Sequence, residues 1–234
     1  MSRHMPVLSV GLLLLGLSVA AAQPKVLRPA PIYSLPPLDG TWVEYEWVNV
    51  GPAQKERPGT LRISSVGQKP VNGVPHRWVE FRIAPQDGDP RDAKHVKLLV
   101  AEKAVADGAL TTDAVAEAYE KRPDGAVAKL SPREVGMVLG MGFHEPAELR
   151  EVQAREEADT KLGKFQTRHM AASARVGDRS VLEYHVWLTN DVPFGWARME
   201  VHEKVGDASR TIFRANARFR GTGAKSEIDE SQAK

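Results

Sequence analysis

Short runs of alternating apolar and polar residues, joined by turns too brief for a crossover, constrain this chain more than any other feature. From Thr41 to Val50, Val43, Tyr45 and Trp47 fall on one face and Glu44 and Glu46 on the other, the period of two expected of a half-buried strand. Gly51 to Pro58 supplies a hairpin loop, and Thr60 to Val66 carries Leu61 and Ile63 in phase. Asn72-Gly73 lies in a second turn, a pair that suits tight hairpins. Arg77 to Ala84 then alternates with Val79, Phe81 and Ile83 inward. These three strands predict a meander.

The middle of the chain changes period. His95 to Val105 fits either a strand or a helix, and Thr112 to Lys121, rich in Ala and Glu, predicts a helix. Ser131-Pro132-Arg133-Glu134 is a capping box with proline at the first helical position, and opens a helix carrying Val135, Val138, Leu139 and Met141. Gly136, Gly140 and Gly142 would let that helix lie close against a sheet. Strands then resume. Leu149 to Glu157 is charged and suits an edge; Gly163 to Ala174 follows; Val181 to Thr189 places Leu182, Tyr184, Val186 and Leu188 on one face. Asp191 to Gly195 turns the chain, since Pro193 cannot sit in a central strand. Trp196 to Val205 puts Ala197, Met199, Val201 and Val205 inward, and Arg210 to Phe219 sets Phe213, Ala215 and Phe219 against Arg214, Asn216 and Arg218. Short connections force antiparallel pairing, and an apolar sheet face must be covered. The fold expected is mainly β (α+β): a curved antiparallel sheet of seven or eight strands, a half-barrel, with one or two inserted helices.

The ends place the chain in the cell. Arg3, the apolar run Val7 to Val19 and Ala20-Ala21-Ala22 have the layout of a secretory signal peptide over residues 1–22, too short for a bilayer span. Residues 23–38, with Pro24, Pro29, Pro31, Pro36 and Pro37, read as an extended linker or strap. Residues 39–221 read as a single β-rich domain, and the polar residues 222–234 as a flexible tail. The absence of cysteine removes disulfides, thiolate zinc sites and a lipid-modified cysteine. The expectation is therefore an exported protein, periplasmic or secreted, with no stable membrane anchor once the leader is cleaved. Basic and acidic residues number 32 and 30, leaving no long-range field for nucleic acid.

Two stretches carry a family likeness. Asp159-Thr160-Lys161-Leu162-Gly163-Lys164-Phe165-Gln166-Thr167 enters a strand through a Thr-x-x-Gly-x-Phe run. Val186-Trp187-Leu188-Thr189 then leads into the Val-Pro turn Asp191-Val192-Pro193-Phe194-Gly195. This resembles the LolA/LppX-like half-barrels, exported carriers and related uncharacterised periplasmic proteins. The resemblance covers the last third by motif and the rest by strand order and leader. It implies a strongly curved sheet wrapped around helices, with an apolar concavity for lipid-like ligands.

No catalytic constellation emerges. His76, His95, His144, His169, His185 and His202 form no H-x-x-x-H or H-E-x-x-H pair, so no metal ligand and no cofactor is assigned. His185 and His202 fall on strands expected to pair across the Pro193 turn, where their rings could approach. There is no G-x-S-x-G elbow and no thiol nucleophile, and Gly221-Thr222-Gly223 lacks a following helix to bind phosphate. The chain reads as a non-enzyme. Tyr45, Trp47, Phe81, Tyr184 and Phe213 line the apolar face and are the candidate ligand-binding residues. Trp42, Trp78, Trp187 and Trp196 fall on the opposite face, among Glu44, Glu80, His185 and Arg198. They form either an aromatic surface patch or rings covered by the strap and by Arg and Lys stems. The partner expected is a hydrophobic small molecule or an envelope protein. The function expected is an exported binding or carrier module; the alternatives are an envelope interaction protein with a filled core, and an exported hydrolase using carboxylates or the two strand histidines.

Overall fold

The computed structural model describes residues 29–51, 55–86, 93–108, 110–139, 148–176 and 180–233. The leader, His144, and the helix positions 140–142 lie outside them. The elements in chain order are β1 (Trp42–Val50), β2 (Glu56–Val71), β3 (Val74–Pro85), β4 (Lys94–Ala101), α1 (Glu102–Ala106), β5 (Val115–Lys121), β6 (Val127–Lys129), α2 (Pro132–Leu139), β7 (Arg150–Thr160), β8 (Gly163–Val176), β9 (Ser180–Leu188), β10 (Trp196–Val205) and β11 (Ala208–Gly221).

Among the described residues, eleven strands make one curved, unclosed antiparallel sheet in the order β6-β5-β4-β3-β2-β1-β11-β10-β9-β8-β7. Two meanders, β1 to β6 and β7 to β11, are joined by the β1–β11 pair. The curl is tight enough that the β7–β8 hairpin tip reaches back to β11, where the Leu162 amide donates to the Ala217 carbonyl at 3.1 Å. The inner face carries the core: Val43, Tyr45, Ile63, Val79, Phe81, Leu98, Tyr184, Val186 and Ala215 are all buried there, with Val135 and Leu139 of α2 packed into the same cluster. The capping box that opens α2 is formed. The Ser131 amide donates to Glu134 Oε2 at 2.7 Å and the Glu134 amide to Ser131 Oγ at 3.4 Å.

Several expectations are corrected. Residues 112–121 are not a helix: a single turn over Thr112–Ala114 leads into β5, which pairs with β4 and buries Ala118 and Tyr119. Helix propensity is worth only tenths of a kcal/mol per residue, and an open neighbouring strand outweighs it. The ambiguous run after His95 divides, its first part forming β4 and its second α1. Gly136 is not a close-contact position, since an added Cβ would meet only Thr112 Cγ2, at an ordinary 3.5 Å. Phe219 faces out, half exposed, and Val205 is also exposed. The β1–β11 register slips between Glu44 and Tyr45, where Glu44 opposes Phe219 and Tyr45 opposes Ala217. Arg218 is the extra residue, and a one-residue bulge reverses every face beyond it. β7 is charged and lies at the sheet edge as expected; its pairing slips twice, which discourages further strands from adding there.

Both flanking segments dock. Ala30, Ile32 and Tyr33 of the proline-rich strap are buried in the main core, and the Tyr33 and Ser34 amides donate to the Phe194 carbonyl at 2.8 and 3.2 Å. Buried Arg77 fixes the end of the strap, donating to the Pro36 carbonyl at 2.8 Å and to Glu102 at the start of α1 at 3.0 Å. The charged segment after Gly221, for which composition predicts fraying, lies on the outer face with Ile228 buried against Trp78, Leu99, Tyr119 and Val127.

Candidate functional site

On the inner face lies a cleft of about 370 Å³, within the size range of small-molecule sites. Its lining is Pro31, Trp47, Asn49, Leu61, Ile83, Tyr184, Trp196, Met199, Val201, Ile212 and Phe213. None of these side chains is charged, and Asn49 is exposed. Three of the five candidate ligand residues, Trp47, Tyr184 and Phe213, therefore meet at this cleft. The other two do not: Tyr45 and Phe81 are packed beneath, with almost no exposure.

The cleft is shaped by two aromatic devices. On one side the Trp47 ring lies across Gly59 of the neighbouring strand, so close that a Cβ there would sit 2.2 Å from Trp47 Cζ2. Trp42 lies over Gly221 in the same way; in both pairs a strand glycine is covered by an indole on the strand beside it. The Trp47 indole N–H is buried and has no partner among the described residues. On the other side Trp196 stacks on Tyr45, ring centroids 3.6 Å apart and planes within 3°. Its indole donates to the Pro31 carbonyl at 3.1 Å, and the Tyr45 hydroxyl donates to the Trp196 carbonyl at 3.0 Å. Burial pushes the Tyr45 and Tyr184 phenols up, the latter to about 12, so both stay neutral.

The strap that borders the cleft is held by a strained turn. Phe194, buried, has φ +68° and Gly195 φ +89°. A Cβ at Gly195 would come within 2.8 Å of Ser34 Oγ and 3.0 Å of the Ser34 nitrogen. Glycine is required there both by conformation and by the closeness of the strap.

The four outer-face tryptophans do not form one patch. Trp78 and Trp187 are buried, and only Trp42 is partly open, under the Arg62 guanidinium at 4.1 Å. Trp187 is covered by His169, stacked at 4.4 Å, and by Arg198 at 4.7 Å. Trp78 is covered by Ile228 and by Lys97, 4.7 Å from its ring. Trp196 is on the inner face altogether, because the β9–β10 register slips between Trp196 and Arg198.

His185 and His202 do approach, as their strand pairing predicts, with ring centroids 5.3 Å apart. The sequence reading missed the third member, His169, whose Nε2 is 2.9 Å from His185 Nδ1. The β8–β9 register, which pairs His169 with Trp187, is the signal that would have found it. Glu156 holds His169 at 2.8 Å and Glu200 holds His202 at 3.2 Å. No group of three or more His, Asp or Glu among the described residues is arranged to hold a metal ion. Burial, then the neighbouring His169 and His202, hold the His185 imidazole below the usual histidine range. Of the remaining histidines, His76 is tied to the Val74 carbonyl at 2.9 Å, and His95 to Glu80 at 3.3 Å.

No helix among the described residues is long and apolar enough to cross a membrane. No protein-family model matches the chain, and no curated protein matches it. Two solved structures are similar to it. One, described as an exported protein with YmcC-like fold from Bacteroides fragilis, has a TM-score of 0.44 and 8% identity, covering 82% of this chain and 100% of its own. The other, described as a lipoprotein from Parabacteroides distasonis, has a TM-score of 0.44 and 7% identity, covering 81% and 99%. Likeness that distant carries no argument about function.

Proposed function

We propose that this chain is an exported, non-enzymatic binding module of the half-barrel carrier type, holding a hydrophobic, lipid-like ligand in the cleft beside Trp47. The observation that carries the reading is the cleft of about 370 Å³ on the inner face, lined by uncharged side chains. A void of that size walled by Leu61, Ile83, Met199, Val201 and Phe213 leaves apolar surface that a ligand would cover, at about 25 cal/mol per Å² removed from water. The test is uptake of Nile red, a neutral hydrophobic dye, together with organic extraction and mass spectrometry of the purified protein. One dye per chain is expected, with most of the uptake lost in Ile212→Trp, which fills the cleft from a half-buried position. Absence of both dye uptake and an extractable hydrophobic molecule would overturn the reading.

The second reading is an envelope interaction protein. It is favoured by the Tyr45–Trp196 stack and the docked strap, which bury much of the inner face beside the cleft. It predicts no dye uptake and no response to Ile212→Trp.

A further inference from the structure

The outer face of β3, β4 and β5 carries a feature that the cleft does not explain. Trp78, Leu99, Tyr119 and Val127 form an apolar cluster separate from the main core. Beside it, Glu80 and Lys97, cross-strand neighbours, are only 5% and 3% exposed. Buried charges must find polar partners, and here the C-terminal segment supplies most of them. Glu80 accepts from the Ser226 hydroxyl at 2.5 Å, from the Glu227 amide at 3.1 Å and from the Ile228 amide at 3.2 Å. Lys97 donates to the Ser226 hydroxyl at 2.8 Å, to the Ile228 carbonyl at 3.0 Å and to Glu230 Oε2 at 2.6 Å. A carboxylate and an ammonium thus read both polarities of one peptide backbone, while the apolar cluster takes the side chain between them.

The seat is built, and the segment lies on it as a separate strap, held also by Lys121 on the Glu227 carbonyl at 3.1 Å and by the Ala224 amide on the Gly40 carbonyl at 2.9 Å. Among residues 222–233 only Ile228 is buried, and the segment adds no strand to the sheet. A polar gap of about 320 Å³, lined by Arg62, Arg82, His95, Lys225 and Glu227 among others, opens beside it. The segment is tethered through Gly221-Thr222-Gly223, with Gly221 beneath the Trp42 indole and Gly223 at φ +82°. Ser226 and Ile228 are spaced by two, the repeat by which an extended peptide presents one face, and Glu230, two residues on, opens a 3₁₀ turn over Glu230–Gln232 from which its carboxylate reaches Lys97.

We propose that this patch is a peptide-binding site, filled in cis by residues 226–230 and open to exchange for a peptide in trans. The peptide it takes has a hydroxyl, then an aliphatic side chain two residues on, then a carboxylate two residues further. The site lies on the opposite face from the cleft and is independent of what the cleft holds.

The experiment places a protease-cleavage sequence at Thr222 in the full chain, cuts it, and follows exchange with a fluorescent peptide of residues 224–234 by anisotropy. The expected result is saturable one-to-one binding to the cut protein and little to the uncut chain. The peptide with Ile228→Ser should bind about ten- to a hundredfold more weakly, the cost of losing one buried aliphatic side chain. The Lys97→Met protein should also weaken binding, while the peptide with Lys225→Ala binds as the parent does. The inference is overturned if the cut segment never exchanges, if the protein unfolds when the segment leaves, or if Ile228→Ser binds equally well.

Discussion

His185 stands between two other imidazoles on the outer face, and its response to pH follows from that position. The groups facing it are His169 and His202, with Glu183 and Glu200 pulling the other way. Glu183 is itself paired with Lys204 at 2.7 Å, and Glu200 is paired with Arg198. In the unfolded chain the ring takes its proton near the ordinary value of about 6.5; in the fold it takes it at lower pH. The unfolded state therefore binds more protons as pH falls below about 6.5, and stability contributed by neutral His185 is lost through that window. The urea midpoint of the wild type is expected to fall between about pH 7 and about pH 5.5, and to fall less in His185→Gln. Equal slopes would show that the row is not the sensor. Glu80 titrates elsewhere. Burial works against its charge, but hydrogen bonds from His95, Ser226 and the Glu227 and Ile228 amides outweigh this and hold it below the usual carboxylate range. Its contribution is present above that range and is lost only as pH falls through the lowered value, well clear of the histidine window.

Among the elements, the strap depends most on a single position. The Phe194-Gly195 turn presents one carbonyl to two strap amides, and Gly195 has no room for a side chain. Gly195→Ala should cost roughly 2–3 kcal/mol, from a positive φ and a backbone collision together. It should also free the strap, read as a lower denaturation midpoint with red-shifted indole emission as Trp196 loses the Pro31 carbonyl. An unchanged spectrum would mean the strap holds without this turn. The strap was visible in the sequence as prolines, and so was the alternation of β1, β3 and β9. What could not be read were bulges, since an extra residue at Arg218 or between Trp196 and Arg198 leaves no mark in composition yet turns Phe219 out and Trp196 in. β5 was misread because alanine and glutamate state a local preference that the edge of β4 overrides. The docking of the C-terminal segment could not be read, because its apolar anchor, Ile228, has meaning only beside Trp78.

At the scale of the whole molecule, the seam between β1 and β11 holds the two meanders together. It joins residues such as Tyr45 and Ala217, so its loop must close over most of the chain, the kind of non-local pairing that slows folding. Once formed it is central, flanked by β2 and β10, whereas β6 and β7 are edges. Native-state hydrogen exchange should therefore show the greatest protection in β1, β2, β10 and β11 and the least in β6 and β7. Edge amides outlasting the seam would contradict this. Three of the candidate cleft residues were legible because they follow strand alternation. The cleft itself was not, because a void depends on how the curl, the strap and the bulges fit together.

The seam also brings the two ends of the β domain side by side, with the Ala224 amide donating to the Gly40 carbonyl at 2.9 Å. With the two flanking segments left off, a few added residues would bridge them, and the β10–β11 turn around Gly206, where an added Cβ would meet nothing, offers a place to open the chain instead. The architecture is thus a ring in connectivity as well as a trough in shape. Circular permutation would move the starting point of the chain without removing a single strand pairing.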